Sequence, residues 1–302
     1  LDAAQVAGDE AARFRPGAIR AYSADLARAR ADRDALRAGF AHAVDRGEVR
    51  AWFQPQLSTD SGEVTGIEAL VRWHHPDRGC LAPGQFLPAI EGTDLMEILG
   101  QTMLTQSLAA LAEFDRKGLR VPTAAVNFSA QELQDPQLPE RLRWTLDRFQ
   151  LAPARLTVEV LESVVAGDGD EVIASNIGRI AAMGCGVDLD DFGTGNASIT
   201  AIRRFALNRL KIDRSFVREV DQNRDQQKLV TAILSLAERL GLETLAEGVE
   251  TQAEHALLAQ LGCGHVQGFA IARPMPVEDL AAWLGAHRDH RAKALQIGLK
   301  AR

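Results

Sequence analysis

The sequence predicts an α/β fold: a (β/α)₈ TIM-like barrel with one antiparallel strand, preceded by an N-terminal helix. After Gly47, short apolar segments alternate with longer amphipathic stretches. Together they have the length typical of such a barrel, about 250 residues. The first two apolar segments are joined by a short connection at Asp60, Ser61 and Gly62. Because so short a connection forms a hairpin, one strand should run antiparallel to the others.

The first predicted element is the N-terminal helix. Apolar residues recur mostly at steps of three and four, at Ile19, Tyr22, Leu26, Ala29, Leu36, Phe40 and Ala43. This spacing is close to a heptad repeat, which Arg33 interrupts. Two interpretations stay open: an amphipathic helix that packs on its own domain, or a signalling helix that joins the domain to an upstream one.

The barrel itself is predicted from eight apolar segments of strand length. In chain order these are Ala51–Pro55, Gly66–Trp73, Ala124–Ser129, Leu156–Glu162, Cys185–Asp191, Arg209–Asp213, Thr244–Glu247 and His265–Phe269. The amphipathic stretches that predict helices are Met96–Gly118, Glu171–Met183, Gln227–Leu240 and Thr251–Leu261. Glycines stand where several of these helices should end, as is typical of a helix C-terminus.

Composition excludes some classes of protein. The formal net charge is −7 and the pI is near 5.6, which argues against a nucleic-acid polymer as partner, because such proteins present a basic face. The three cysteines, Cys80, Cys185 and Cys263, form no CxxC pair, so we expect reduced thiols in a cytoplasmic protein. No apolar run in the sequence has the length of a membrane span, while an upstream membrane anchor in the full-length protein stays open.

Polar residues near the ends of the predicted strands indicate a functional site. They are Gln54, Glu68, Asn127, Glu159, Asp190, Asp191, Lys211, Asp213, Glu247 and Gln267. A buried strand should avoid such residues. In a (β/α)₈ barrel the carboxyl ends of the strands converge on the face where active sites are built, so we expect these side chains to form one cluster.

The cluster predicts a site for divalent cations. Several carboxylates cannot all stay ionised in a partly buried pocket without cations, and oxygen ligands favour Mg²⁺, Mn²⁺ or Ca²⁺. Adjacent carboxylates at Asp190 and Asp191 can serve one metal pair only where the strand ends and twists, and the glycines at 193 and 195 supply flexible backbone there. With Lys211 to orient water or offset phosphate charge, the residues predict a two-metal phosphoester hydrolase.

At these residues the sequence resembles the EAL-domain phosphodiesterases over about residues 35–290. The motif that names the family lies within Gly66–Trp73, as Glu68, Ala69 and Leu70. The other matching segments are Phe53–Pro55, Phe86–Pro88, Val126–Ser129, Glu159–Ser163, Asp190–Gly195, Leu210–Asp213, Ala246–Thr251 and Gln267–Phe269. One such motif would be weak, but the ordered set is specific.

The resemblance implies hydrolysis of cyclic di-GMP to linear 5′-pGpG by two-metal in-line attack of a metal-bound water. It implies two Mg²⁺ or Mn²⁺ ions per site, with Ca²⁺ as an inhibitor. The implied metal ligands are Glu68, Asn127, Glu159, Asp190, Asp191 and Glu247. Lys211 should contact the attacking water and act with Glu68, Asp191 and Glu247 in catalysis. The implied substrate-binding residues are Gln54, Leu70, Arg72, Asp213, Glu250 and Gln267, and Glu162 should brace the loop after Asp191.

The domain limits that follow are an N-terminal segment and linker helix at 1–34, the EAL phosphodiesterase domain at 35–290 and a C-terminal tail at 291–302. The family also implies a homodimer and an upstream GGDEF or sensory domain in the full-length protein. A catalytically weak or silent cyclic di-GMP receptor or signalling module is the alternative to an active enzyme. The sequence departs from the family pattern at Gly92, Asp94, Asp188, Asn196, Ala197 and Gly264. Asp188 should either add negative charge beneath the metals or bond a neighbour.

Overall fold

The computed structural model describes residues 24–166, 171–195 and 198–300. The described residues form two compact units, one of residues 24–49 with 72–98 and one of residues 50–71 with 99–300. Our predictions for Ile19, Tyr22, Asn196 and Ala197 lie outside the described residues.

The strands form one sheet that closes on itself. Their bounds are β1 Val49–Ser58, β2 Val64–His75, β3 Gly79–Leu81, β4 Ala124–Asn127, β5 Leu156–Leu161, β6 Gly186–Phe192, β7 Arg209–Ile212, β8 Glu243–Ala246 and β9 His265–Val266. The order is β1-β9-β8-β7-β6-β5-β4-β2-β3, and a pairing of β1 with β2 closes eight strands into a barrel. β1 is antiparallel to β9, whereas the pairs from β2 through β4 to β9 are parallel. The predicted barrel with one antiparallel strand is confirmed, and β3 is an extra strand paired with the end of β2.

The helices lie between the strands along the chain, as the alternating pattern predicts. Their bounds are α1 Ala24–Asp45, α2 Pro83–Ile90, α3 Leu95–Arg116, α4 Ala130–Leu133, α5 Leu138–Phe149, α6 Glu162–Ala166, α7 Glu171–Met183, α8 Ile199–Ile202, α9 Arg214–Val217, α10 Arg224–Leu240, α11 Gln252–Gln260 and α12 Val277–Lys300. The four predicted stretches correspond to α3, α7, α10 and α11. The predicted domain limits at 34/35 and 290/291 fall inside α1 and α12 and stay predictions.

The last predicted strand is shorter than expected. Only His265 and Val266 belong to β9, because the chain then turns toward the loop after β8. Val249 donates its backbone N–H to the carbonyl of Gln267. A Cβ at Gly268 would lie 2.2 Å from the backbone N and O of Val249, so only glycine fits this approach.

The barrel is held by apolar side chains on its strands. Val126, Val158, Leu189, Leu210 and Leu245 are at most 1% exposed, as expected for parallel strands covered on both faces. The polar residues of the same strands are therefore exceptions that call for a chemical reason.

The smaller unit has its own aromatic core, to which α1 contributes. The Phe40 ring lies 5.4 Å from that of Trp73, edge to face, and 5.9 Å from that of Phe86. Leu36, Phe40 and Ala43 are buried, whereas Ala29 is exposed. The second half of α1 thus packs within its own unit, while a signalling role for the helix stays a prediction.

Among the helices of the described part of the chain, none is both long and apolar enough to cross a membrane.

Candidate active site

The barrel strands bring the predicted acidic residues together around one lysine. Glu68 lies in β2, Glu159 in β5, Asp190 in β6, Lys211 in β7, and Glu247 directly follows β8. The register of β4 and β5 makes Asn127 and Glu159 neighbours, because these two residues are paired across the strands. Residues separated by more than a hundred positions in sequence thus share one end of the barrel, as its topology requires.

Lys211 is the centre of this cluster. Its Nζ lies 2.7 Å from Glu159 Oε1, 2.7 Å from Glu247 Oε1 and 3.0 Å from Asp190 Oδ1. Glu68 Oε1 is farther away, at 3.8 Å. The Lys211 side chain is fully buried, so its charge is screened little by water. One ammonium group thus faces four carboxylates.

The carboxylates form two triads that share Asp190. One is Glu68, Glu159 and Asp190, and the other is Asp190, Asp191 and Glu247; in each, one oxygen per residue lies within 4.8 Å of the other two. The amide of Asn127 donates from Nδ2 to Glu68 Oε1 at 3.2 Å. Two oxygen-rich groups that have one carboxylate in common suit a pair of divalent cations.

The acidic cluster has more carboxylates than the single charge of Lys211 can neutralise. Burial raises the pKa of Glu159 well above its ordinary value, and Glu68 raises it further against the opposing effect of Lys211. Burial also raises the pKa of Glu247, to about 8. For Lys211, burial alone would lower the pKa, but the surrounding carboxylates raise it well above the ordinary value. The lysine therefore stays protonated and the acids compete for charge compensation.

The buried oxygens of Glu159 are a second observation that fits a divalent metal. Both carboxylate oxygens of Glu159 are buried, and neither accepts a hydrogen bond of acceptable geometry from the described residues. The contact with Lys211 is an ion pair whose angles do not form a hydrogen bond. Buried polar atoms without hydrogen bonds are rare in proteins, and a bound ion is one accepted reason for them. The acidic cluster is thus compatible with metal binding.

A bend in β6 lets adjacent acids serve one site. Asp191 has a φ of 54°, in the left-handed region, and the pairing of β6 with β7 shifts register between Leu189 and Phe192. The Asp191 N–H donates to Asp190 Oδ1 at 2.9 Å. Strand alternation would otherwise point the two carboxylates to opposite faces, so the bend is what brings both into one triad.

Glu162 holds the loop that follows this bend. Its Oε2 accepts hydrogen bonds from the N–H groups of Gly193 at 2.7 Å and Gly195 at 3.0 Å. The residue lies at the start of α6 and not in the predicted strand, and it is buried. A Cβ at Gly195 would lie 2.9 Å from the Glu162 carboxyl carbon, so this glycine allows the close approach.

The predicted substrate-binding residues occupy varied positions. Gln267 and Gln54 are buried, with Gln267 Nε2 donating to Gln54 Oε1 at 3.1 Å. Leu70 is half-buried and Glu250 is exposed. Asp213 is the N-cap of α9, where its Oδ1 accepts from the Ser215 N–H. Arg72 lies in the part of β2 that belongs to the smaller unit.

Sequence reasoning missed two buried acids that shape loops near the strand ends. Glu132 accepts from the Ser129 N–H, and Glu254 accepts from the N–H groups of Glu250 and Thr251. Each belongs to a capping box at a helix start. The spacing of a serine or threonine three residues before a glutamate could have identified both.

The sequence prediction for Asp188 did not name its partner. Arg209 Nε donates to Asp188 Oδ2 at 2.8 Å, and both side chains are buried. The expected bond to a neighbour is observed, and Asp188 also adds to the negative charge that raises the pKa of Glu159. The signal was strand alternation, which turns Arg209 to the same side as Lys211 and Asp188 to the same side as Asp190.

The fold and the site define a class: closed barrels with carboxylates near the carboxyl ends of their strands, grouped here in two oxygen-rich triads that could hold a metal ion. Within that class the chain belongs to the EAL domain family, whose model matches residues 37–274. The family resemblance predicted from the motifs is confirmed.

Relatives and solved structures agree with this assignment. The chain is 38% identical over 240 residues to the bifunctional diguanylate cyclase/cyclic di-GMP phosphodiesterase MucR of Pseudomonas aeruginosa, covering 80% of this chain and 35% of the relative. It is 35% identical over 241 residues to the cyclic di-GMP phosphodiesterase PdeR of Escherichia coli, covering 80% of this chain and 36% of the relative.

The solved structure described as PaMucR phosphodiesterase in complex with c-di-GMP matches with a TM-score of 0.77 and 37% identity, over 82% of this chain and 99% of that one. The EAL domain of Mycobacterium smegmatis DcpA matches with a TM-score of 0.68 and 28% identity, over 79% of this chain and 98% of that one. The chain therefore spans about a third of the curated relatives above, at 35% and 36% of their length, but nearly all of each isolated domain.

Proposed function

We propose that this domain is a divalent-metal-dependent phosphodiesterase that hydrolyses cyclic di-GMP to linear 5′-pGpG. The observation that carries the proposal is the pair of carboxylate triads around buried Lys211. The similarity to proteins named as cyclic di-GMP phosphodiesterases supports the substrate.

In this proposal the metal ligands are Glu68, Asn127, Glu159, Asp190, Asp191 and Glu247. Two Mg²⁺ or Mn²⁺ ions, when bound, supply charge neutralisation and Lewis acidity for an in-line displacement at phosphorus. Ca²⁺ uses the same oxygen ligands but tolerates longer, irregular coordination, so we propose it as an inhibitor.

The side chains of the domain hold the geometry of the reaction. Lys211 presents up to three N–H donors from a fixed position between Glu159 and Glu247, and we propose that it orients the attacking water. Glu162 fixes the loop behind Asp191 through the N–H groups of Gly193 and Gly195. We propose that the substrate is held by Gln54, Leu70, Arg72, Asp213, Glu250 and Gln267. Arg72 would form a charge-assisted bond with phosphate.

The test is to incubate the purified domain with cyclic di-GMP and Mg²⁺ or Mn²⁺ and to separate the products by chromatography. We expect 5′-pGpG, and a loss of turnover of at least about a hundredfold in Glu68→Gln, because even partners of metal ligands contribute 10- to 100-fold. Glu238→Gln is the matched control, since Glu238 is exposed on α10. Tight binding of cyclic di-GMP without cleavage would instead indicate a receptor.

The relatives are longer than this chain, so assembly belongs to the proposal as well. We propose that the domain functions as a homodimer and that a GGDEF or sensory domain lies upstream in the full-length protein. Both follow from the family resemblance alone.

A further inference from the structure

A line of buried hydrogen bonds runs through the barrel to Glu68. Arg209 Nη2 donates to Gln56 Oε1 at 2.9 Å. Gln56 Nε2 donates to Gln267 Oε1 at 2.9 Å, and Gln267 Nε2 donates to Glu68 Oε2 at 2.5 Å. Gln56 and Gln267 are 0% and 3% exposed, so water does not offer alternative partners to their amides.

The direction of this line is set at Arg209. A guanidinium group has only donors, so Gln56 must turn its Oε1 toward it and has only its Nε2 left for Gln267. Gln267 must then turn its Oε1 toward Gln56, which leaves Nε2 to donate to Glu68 Oε2 and to Gln54 Oε1. If either amide were reversed, two acceptors or two donors would face each other in a buried place, at a cost of about 1–3 kcal/mol.

Asp188 anchors the start of the line. Its Oδ2 accepts from Arg209 Nε at 2.8 Å and from Nη2 at 2.5 Å. The two side chains are 3% and 8% exposed, and each charge compensates the other, which a buried arginine requires. The pair fixes the plane of the guanidinium and hence the point at which Gln56 is held.

At the far end of the line, the two Glu68 oxygens have different partners. Oε2 receives the hydrogen bond from Gln267, while Oε1 faces Asn127 Nδ2 at 3.2 Å and Lys211 Nζ at 3.8 Å. Oε1 is thus the oxygen that contacts Asn127 and Lys211 of the site, and Oε2 is the oxygen that Gln267 holds.

We propose that Arg209, Asp188 and Gln56 are positioning residues, which orient the Gln267 amide so that Glu68 presents Oε1 to a divalent cation. The proposal rests on the proposed function, since it takes Glu68 as a metal ligand. It adds that this ligand is aimed by a chain of amides that begins at an ion pair outside the acidic cluster.

The test measures Mn²⁺ binding to the EDTA-treated domain without substrate, by calorimetry and by the electron paramagnetic resonance of free Mn²⁺. In Gln56→Met the side chain keeps its volume but cannot link Arg209 to Gln267. We expect Mn²⁺ affinity to fall by about 10- to 100-fold, as for other residues that orient metal ligands. In Gln56→Glu the carboxylate can accept from Arg209 but cannot donate to Gln267, so the affinity should fall as well.

The matched control is Gln106→Met, which removes the hydrogen bond that Gln106 Oε1 accepts from the Ala51 N–H at 2.7 Å and is not a member of the line from Arg209 to Glu68. We expect it to keep wild-type Mn²⁺ affinity. Thermal unfolding in EDTA reports the loss of stability in each variant, so a merely structural role of Gln56 would lower the unfolding temperature and leave Mn²⁺ affinity unchanged.

A parallel titration of Glu68→Gln separates the two proposals. Loss of Mn²⁺ binding in Glu68→Gln with wild-type affinity in both Gln56 variants would overturn the positioning role and leave the proposed function in place. Wild-type affinity in Glu68→Gln would overturn the metal site, and the positioning role with it.

Discussion

Lys211 is the residue on which the charge balance of the site depends. It contacts Glu159, Asp190 and Glu247 within 3.0 Å from a fully buried position. The carboxylates therefore rely on its charge whenever no cation is bound. This reliance gives the residue a role in stability as well as the proposed role in catalysis.

We predict that Lys211→Met destabilises the metal-free domain by about 3–5 kcal/mol, the usual cost of removing one partner from a buried ion pair. Denaturant unfolding in EDTA measures the loss. Added Mg²⁺ should restore more stability to the variant than to the wild type, because the cations replace the missing positive charge. A metal-free variant as stable as the wild type would contradict the central place of Lys211.

Glu247 predicts how stability depends on pH. Its pKa is about 8 in the fold against an ordinary value of 4.5, so between these values the folded state binds more protons than the unfolded state. Stability of the metal-free domain should therefore fall as the pH rises through this range. Glu159 acts in the same direction, because its pKa is also raised.

Unfolding temperatures at about pH 7 and about pH 8 are compared in the wild type and in Glu247→Gln, because the histidines, the cysteines and the α-amino group, which also titrate near this range, are common to both proteins. We expect a lower unfolding temperature at the higher pH in EDTA and a smaller difference in Glu247→Gln. Equal pH dependence in both proteins would show that Glu247 is not the group that titrates.

At the scale of single residues, the acids at the strand ends could be predicted from the sequence, but the orientation of the Gln56 and Gln267 amides could not. Glu68, Glu159, Asp190 and Glu247 were predicted to meet because barrel topology brings strand ends together. The line from Arg209 to Glu68 depends on which side chains face inward at one level of the barrel. That is a property of register, which a single sequence does not contain.

At the scale of elements, four long periodic segments were predicted as helices, whereas the long helices α5 and α12 and the short helices were not. The predicted helices correspond to α3, α7, α10 and α11, because each spans several turns with one apolar face. Short helices such as α4, α8 and α9 follow strands over four residues each, which is too short for a period. Strand β3 was missed for the same reason, and β9 was predicted too long because its pairing ends at Val266.

The turn after β9 makes a prediction about glycine. Gly268→Ala would place a Cβ 2.2 Å from the Val249 backbone, and since backbone cannot rotate away, we expect a loss of about 1–3 kcal/mol or more. In Gly285→Ala, the Cβ meets nothing within 4 Å in helix α12, so a gain of up to about 1 kcal/mol is expected. Denaturant unfolding of both variants measures the contrast. A neutral Gly268→Ala would mean that the loop after β8 moves aside freely.

At the scale of the whole molecule, the barrel follows from the sequence, while the limits of the domain stay a prediction. Alternation of strands and helices predicted the closed sheet, and the short first connection predicted the antiparallel strand. Helix α1 continues through the predicted limit at 34/35, because an amphipathic pattern shows that a helix forms and not where its domain begins.

Removal of residues 1–34 tests the two interpretations of α1. The buried positions of the helix, Leu36, Phe40 and Ala43, remain after this deletion, so we expect an unfolding temperature close to that of the full chain. Turnover should also persist, since every proposed ligand lies later in the sequence. Light scattering gives the oligomeric state, and a shift from dimer to monomer would favour the signalling helix, whereas a large fall in unfolding temperature would contradict the packing described here.

In the proposed function, this barrel cleaves cyclic di-GMP with two divalent cations held around Lys211. The most direct measurement is the rate of 5′-pGpG formation as Mn²⁺ is titrated back into the EDTA-treated domain. We expect no turnover without metal, saturation only after about two equivalents of tightly bound Mn²⁺ per chain, and no recovery in Glu68→Gln. Turnover that persists in EDTA, or that Glu68→Gln recovers in full, would overturn the proposed two-metal mechanism.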